Sequence, residues 1–205
     1  MVFYGASGHG KVVMEAWLAS GGTIADIFDD NEEIKEILGH PVKSKFNANE
    51  FGQGQLLISI GDNRVRKKIA GKIDLDLGKV IHPGAIISKS VGIGKGTVVL
   101  AGAVINSSAL IGTHVIINSA AVIEHDCKIG DFAHISPNVT LCGGVSVGEG
   151  THVGAGATVV PGISIGKWVI VGAGSVVTKD IPDFVVVAGV PAKTIRKNDN
   201  VDEKG

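Results

Sequence analysis

Histidine is the residue type that offers chemistry in the second half of the chain, at His114, His125, His134 and His152. An imidazole is the side chain best suited to accept a proton near pH 7. Asp126 directly follows His125, and a carboxylate that binds the ring can fix its tautomer and raise its basicity. The pair therefore indicates a general base. The alternative is a solvated histidine in a turn.

A glycine-rich segment near the N-terminus is the second feature with chemical potential. Gly5-Ala-Ser-Gly-His-Gly10 follows a short apolar strand and precedes a helix, so its N–H groups would face an anion. The segment lacks the spacing of the Rossmann GxGxxG pattern, and Val12 stands where a Walker A loop needs Ser or Thr. It predicts a phosphate site, or else a turn whose glycines serve packing. Asp29 ends the next strand and is placed for a ribose contact or a turn cap.

A repeat of six residues positions the histidines. Every sixth residue from Ile81 to Val177 is Ile, Val or Leu, at seventeen positions without an insertion. This period fits neither a helix nor a flat strand. It fits a parallel β-helix in which each hexad is a short strand plus a turn and three hexads make a triangular coil. Adjacent coils then lie about 4.8 Å apart, with the aliphatic residues stacked inside.

The first 78 residues follow a different pattern, in which strands at 2–4, 24–28 and 56–60 alternate with helices at 11–20 and 64–73. This alternation is typical of a small parallel α/β unit. We therefore predict a Rossmann-like α/β domain over residues 1–78 and a β-helix with a C-terminal cap over residues 79–195. A polar tail occupies residues 196–205.

The repeat also suggests a zinc site, because the gamma-class carbonic anhydrases hold zinc with three histidines across a subunit interface of hexapeptide repeats. His114, His125 and His134 occupy different positions within the coil, so we expect no metal. Cys127 and Cys142 lack the C-x2-C spacing of a metal site and are expected to be small, semi-buried residues.

Composition excludes several classes of protein. The net charge of −1 does not favour nucleic-acid binding or a polybasic membrane surface. No apolar run is long enough for membrane insertion, and the N-terminus lacks the features of a signal peptide. Only two of the 205 residues are cysteine, which fits a reducing compartment, so we expect a cytoplasmic protein.

Five motifs occur in one order along the chain: Gly5–Gly10, Phe28–Asp30, Ser59–Asn63 with Arg66–Lys68, Ile123–Cys127 and Gly189–Lys193. Together they resemble the hexapeptide-repeat sugar acetyltransferases. That family includes UDP-4-amino-sugar N-acetyltransferases of bacillosamine-type pathways and sialic acid O-acetyltransferase-like proteins. The resemblance covers about residues 2–195. It implies a left-handed coil, an exception to the right-handed crossover rule, with acetyl-CoA as co-substrate and a homotrimer with active sites between subunits.

The resemblance implies a role for each matched residue. His125 would be the general base, with Asp126 increasing its basicity. The phosphates of a UDP-amino-sugar would be bound by Ser7, Gly8 and His9, and its nucleoside end by Asp29, Asp30 and Gly61. His134 would meet the thioester region of acetyl-CoA. The pantetheine groove would be lined by Gly143, Ala155 and Ala173, and the nucleotide end of the coenzyme by Pro191 and Lys193.

The function predicted in this way is N-acetylation of the 4-amino group of a UDP-linked 4-amino-4,6-dideoxy sugar by direct transfer. The alternative within the class is O-acetylation of sialic acid or another glycan unit. Two other classes stay open: a carbonic anhydrase-like metal protein, and a scaffold that binds a nucleotide without transfer. The sequence does not distinguish UDP from dTDP or CMP.

Overall fold

The computed structural model describes residues 1–44, 46 and 54–198, and an α/β domain comes first along the chain. Its elements are β1 (Val2–Tyr4), α1 (Gly8–Ala19), β2 (Asp26–Phe28), β3 (Glu36–Ile37), β4 (His40–Pro41), β5 (Leu56–Ile58) and α2 (Asn63–Ala70). The strands form a parallel sheet in the order β2-β1-β5, and β3 pairs with β4 as a separate hairpin. The predicted α/β fold is therefore confirmed.

The sheet of this domain is covered on both faces, so its strands are continuously apolar. Phe3 packs on the side of α1 together with Val98 and Leu100 of the repeat, whereas Tyr4 packs on the opposite side with Ile69 of α2. α1 begins at Gly8, three residues before the predicted start. Half of the glycine-rich segment is therefore the first turn of a helix.

The hexads form the predicted β-helix, with two-residue strands on three faces. The first face contains Val80–Ile81, Val98–Val99, Ile116–Ile117, His134–Ile135, His152–Val153 and Ile170–Val171. The second contains Ile86–Ile87, Val104–Ile105, Val122–Ile123, Thr140–Leu141, Thr158–Val159 and Val176–Val177. The third contains Gly92–Ile93, Leu110–Ile111, Lys128–Ile129, Ser146–Val147 and Ser164–Ile165. All these strands pair in parallel at an interval of one coil.

Two residues of each hexad fill the interior of the coils. Ile123 and Ala121, for example, are fully buried, as are most of their counterparts in other hexads.

The turns between strands form three edges: the first edge joins the first and second faces, the second edge joins the second and third, and the third edge joins the third and first. From the turn at Gly96 to the turn at Gly174, each turn contains a residue with positive φ, such as Asp126 at 62°. Asp and Gly adopt this conformation at little cost.

A hairpin of Val185–Gly189 and Ala192–Lys197 extends the first face and covers the last coil. The boundaries of the predicted domains stay predictions. Arg196 and Lys197, which the sequence assigned to the polar tail, belong to this hairpin, and residues 199–205 lie outside the described part of the chain. Within the described ranges, neither helix is long and apolar enough to cross a membrane.

The α/β domain is held on the third edge by side chains that bind the carbonyl groups of successive turns. Arg66 of α2 donates from Nε to His114 O at 2.9 Å and from Nη2 to Phe132 O at 2.8 Å. Asn63 Nδ2 donates to the equivalent carbonyl, Gly150 O, in the next coil at 3.1 Å. The third edge therefore sets the position of the α/β domain along the β-helix.

Candidate active site

His125 lies in a turn of the second edge, directly after a strand of the second face. Its Nδ1 is 2.8 Å from Oδ2 of Asp126, and both side chains are more than 60% exposed. An ionised carboxylate can only accept a hydrogen bond, so Nδ1 must carry the ring proton in this contact. Nε2 is then unprotonated and can accept a proton. The hydrogen bond to Asp126 raises the pKa of His125, and the charges of Asp126 and Glu124 add to the effect.

The imidazole of His125 packs over the turn of the next coil. A Cβ atom at Gly143 would lie 2.6 Å from Cε1 and Nε2 of the ring, so a larger residue here would displace the imidazole from this position. The N–H of Gly144 donates to His125 O at 2.9 Å, whereas the N–H of Gly143 has no hydrogen-bond partner among the described residues. Cys127 is buried, and burial raises the pKa of its thiol, so a thiolate nucleophile is disfavoured beside His125.

The glycine-rich segment has two glycines that the backbone requires and one that it does not. Gly5 has φ 119°, and a Cβ atom at Gly10 would lie 2.5 Å from Gly5 O. Ser59 Oγ fixes the same loop by donating to Gly5 O at 2.7 Å. A Cβ atom at Gly8 would meet nothing within 4 Å, so the space beside Gly8 is open to a ligand.

The N-terminus of α1 opens into the same space. Ser7 occupies the N-cap position, but its side chain makes no capping hydrogen bond within the described residues, and no acidic residue lies in the first turn. The first N–H groups of a helix carry a partial positive charge and lack partners in the helix. This end of α1 therefore has the properties of a phosphate site.

Asp29 and Asp30 already bind groups within the domain. Asp29 accepts from the N–H of Ala6 at 2.6 Å, which ties the end of β2 to the glycine-rich segment. Asp30 Oδ1 accepts from the hydroxyl of Tyr4 at 2.7 Å, and burial together with this carboxylate raises the pKa of Tyr4. A pocket of about 240 Å³ lies beside this pair, lined by Tyr4, Asp30, Phe46, Ile69, Lys72 and Ile73.

His9, predicted for the acceptor site, and His134, predicted for the coenzyme site, lie with His152 at the first face. The ring centroids of His134 and His152 are 4.7 Å apart and stacked, and His9 of the α/β domain lies 6.1 Å from His134. Asn118 Nδ2 is 3.1 Å from Nε2 of His134, and Ser136 Oγ is 2.8 Å from Nε2 of His152.

These buried rings are neutral at pH 7. Burial lowers the pKa of His134 to about 3, and the charges of His152 and Arg66 act in the same direction. Burial and Arg66 lower the pKa of His9 to about 4. Nε2 of His9 is buried without a hydrogen-bond partner among the described residues. A cleft of about 490 Å³ opens beside His134 and His152, lined by the Gly61–Arg64 loop and by residues of the first face and third edge.

The predicted site residues therefore lie at several separate places on each chain. His9, Gly61 and His134 meet between the α/β domain and the first face. His125 and Gly143 lie on the second edge, whereas Ala155 and Ala173 lie in turns of the first edge and Pro191 and Lys193 at the terminal hairpin. In the described ranges no group of three or more His, Cys, Asp and Glu side chains is arranged to hold a metal ion.

Sequence reasoning missed the contacts of Asn118 and Arg66. Asn118 lies in the hexad repeat, where nothing in the sequence indicates that it contacts His134. Arg66 stands in one of the quoted motifs and in the helix predicted over 64–73, but arginine is normally solvated, so its burial was not predicted.

The chain matches known families along most of its length. Residues 1–73 match the PglD N-terminal domain, residues 120–159 match the hexapeptide repeat of succinyl-transferases, and residues 144–179 match the bacterial transferase hexapeptide. A UDP-N-acetylbacillosamine N-acetyltransferase of Bacillus subtilis is 48% identical in an alignment 100 residues long, which covers 44% of this chain. The match spans 46% of that relative, or about half its length.

Solved structures extend the likeness to the whole chain. A variant of perosamine N-acetyltransferase from Caulobacter crescentus, bound to CoA and GDP-perosamine, is 44% identical with a TM-score of 0.90, covering 94% of this chain and 95% of the other. The acetyltransferase domain of PglB from Neisseria gonorrhoeae, bound to acetyl coenzyme A, is 38% identical with a TM-score of 0.88, covering 95% and 98%.

These likenesses confirm the expected left-handed β-helix, the acetyltransferase class and the use of acetyl-CoA. The chain belongs to the family of hexapeptide-repeat sugar acetyltransferases that have a PglD-type N-terminal domain.

Proposed function

We propose that the protein transfers the acetyl group of acetyl-CoA to the 4-amino group of a UDP-linked 4-amino-4,6-dideoxy sugar, with His125 as the general base. The observation that carries the proposal is the exposed imidazole of His125, whose Nδ1 is held by Asp126 and whose Nε2 is open beside the glycine turn at Gly143. The relatives named for bacillosamine and perosamine N-acetylation support the same acceptor class.

The residues account for each part of the reaction. The amine nitrogen attacks the thioester carbon, and Nε2 of His125 takes a proton from the nitrogen as the C–N bond forms. The thioester oxygen becomes an oxyanion, for which the N–H of Gly143 is a donor. The C–S bond then breaks, and the sulfur of CoA leaves with a proton from the imidazolium. Transfer is direct, because the thiol of Cys127 is buried with a raised pKa.

The α/β domain supplies the groups for the sugar nucleotide. The open N-terminus of α1, with Ser7, Gly8 and His9, would bind the diphosphate. The pocket beside Asp30 has aromatic and aliphatic walls with polar groups at its rim, which suits a planar base. Asp29, Asp30 and Gly61 are at the carboxyl ends of parallel strands, where such ligands bind in α/β sheets.

We infer that the site forms between subunits of a homotrimer. His125 and Gly143 lie on the second edge, whereas Ala155 and Ala173 lie on the first edge. One coenzyme can contact both sets if the second edge of one subunit faces the first edge of its neighbour. Three such contacts close a ring with cyclic symmetry.

The first test follows free thiol release from acetyl-CoA with a UDP-linked 4-amino-4,6-dideoxy sugar. We expect release that requires the amino sugar, and a loss of about 10²–10⁴-fold in kcat for His125→Ala because the base is missing. His40→Ala, in the β3–β4 hairpin, is the matched control. Thiol release only with GDP-, dTDP- or CMP-linked amino sugars would show that the nucleotide of the acceptor is not UDP. Thiol release only with sialic acid would show that the accepting group is a hydroxyl. No thiol release with any acceptor would overturn the proposal.

The second test concerns the pH dependence given by Asp126. Its hydrogen bond and charge raise the pKa of His125. A base must be neutral to act, so the acidic limb of kcat/KM reports this pKa. Asp126→Asn should therefore shift the acidic limb to lower pH and reduce kcat. Glu124→Gln removes a charge whose effect on the pKa of His125 is smaller than that of Asp126, so this variant should shift the acidic limb less. An acidic limb unchanged in Asp126→Asn contradicts the assignment of His125.

The third test places a charge at the N-terminus of α1. Gly8→Asp fits, because a Cβ atom there meets nothing within 4 Å, and its carboxylate should repel the diphosphate. We expect KM for the sugar nucleotide to rise by about tenfold or more, with kcat and stability retained. The neutral isostere Gly8→Asn should have a much smaller effect. Equal values of KM for the two variants would show that no phosphate binds there.

The fourth test mixes two variants that are each impaired at low sugar-nucleotide concentration, His125→Ala through kcat and Gly8→Asp through KM. If His125 and the nucleotide site of one active centre come from different subunits, trimers assembled from His125→Ala and Gly8→Asp chains contain some intact centres. At equal mixing about one quarter of the wild-type activity should appear at low sugar-nucleotide concentration. The double variant is the control and should stay inactive. No recovery in co-assembled trimers would place both groups of each centre on one chain.

A further inference from the structure

Arg66 is an unusual residue of the domain interface, because its guanidinium group is buried and forms no ion pair with a carboxylate of the described part of the chain. The side chain is 1% exposed. Nη1 donates to Ile60 O at 2.9 Å and Gly61 O at 3.1 Å, and Nη2 donates to Asn63 Oδ1 at 2.8 Å. With the two carbonyls of the third edge, five neutral acceptors surround the cation.

This arrangement is more specific than attachment of the domain requires. Burying a cation is costly, and a well-packed apolar contact would join two surfaces with less penalty. The guanidinium instead uses its planar set of donors to fix three segments at once: the Ile60–Gly61 loop, the turn at His114 and the turn at Phe132. Lysine has a single donor atom and cannot reproduce this geometry.

The loop that Arg66 fixes forms part of the proposed acceptor side of the site. Gly61 O accepts from Arg66, and the backbone of Gly61 lies close enough to His134 on the first face to act on the pKa of its ring. The ring of His9 packs against Gly61, where a Cβ atom would lie 3.6 Å from the imidazole. Any movement of this loop therefore changes the position of His9 and of the first turn of α1 relative to the coils.

Binding and transfer depend on different parts of the chain. All the residues proposed for the sugar nucleotide belong to the α/β domain, so the domain can bind this ligand by its own contacts. The acetyl group, by contrast, is held along the β-helix. The distance between the acceptor amine and the thioester thus depends on how the domain sits on the third edge.

We propose that Arg66 is a positioning residue for acetyl transfer, which fixes the nucleotide-binding domain on the coils so that the acceptor amine reaches the thioester. This inference rests on the proposed function. Loss of the guanidinium should leave both substrates bound but misplace the amine, and a misplacement of about 1 Å can lower a rate by about 10²-fold.

The experiment compares Arg66→Lys with Lys68→Met, an exposed position on the same helix. Calorimetry gives Kd and the number of sites for CoA and for the sugar nucleotide, and steady-state kinetics gives kcat. For Arg66→Lys we expect kcat to fall by about 10–10²-fold, while both Kd values stay within about twofold and every chain still binds. Lys68→Met should keep all of these values within about twofold of the wild type.

A second variant, Asn63→Ser, tests the same geometry if Arg66→Lys folds poorly. It removes the bond to Gly150 O and the acceptor that Asn63 Oδ1 offers to Arg66 Nη2, but it keeps the guanidinium and its four bonds to carbonyl groups, so kcat should fall less, with binding again retained. If the wild type transfers the acetyl group, two results overturn the inference. One is an unchanged kcat in both variants, and the other is a kcat that falls only in proportion to the number of binding sites lost. A wild type without transfer to any nucleotide-linked amino sugar overturns the proposed function and the inference together.

Discussion

Stacking of each coil on the next, at an interval of three hexads, is the constraint on which the functional groups depend. Strands pair in parallel with their counterparts one coil away, so a residue type placed on an edge or face becomes part of a column. His134 lies beside His152 in one column, and His125 lies over Gly143 in another. The carbonyls of the third edge form a third column, whose spacing matches the donors of Arg66 and Asn63 on α2.

The same side-chain type acquires opposite properties at different places on this scaffold. His125 is exposed, and its hydrogen bond to the carboxylate of Asp126 raises its pKa. Burial lowers the pKa values of His9 and His134, and the positive charge of Arg66 lowers them further. Burial penalises the charged imidazolium, and a nearby carboxylate favours it. A base must exchange protons near pH 7, so only the exposed ring suits that role, while the neutral rings serve as packing and hydrogen-bonding groups.

The sequence predicts those features that are determined locally. The aliphatic residue that points inward in each hexad predicts the β-helix from the repeat alone, without knowledge of the other domain. His125 and Asp126 are neighbours in the sequence, so their side chains meet within one turn. The burial of Arg66 depends instead on acceptors 48 and 66 residues away in the chain, so no local pattern reveals it. The same holds for Asp29, whose carboxylate binds Ala6 N–H across the ends of two strands.

The division of labour between edges explains why the assembly belongs to the proposed mechanism. A coil repeats its groups along an edge and not across the prism, so one chain presents its proposed base on the second edge and its α/β domain at the first face and third edge. Additional coils would lengthen each column without bringing the columns together. In the proposed homotrimer, association of edges from neighbouring chains would bring them together, and Arg66 would then act on the acceptor side of a centre whose base comes from another subunit.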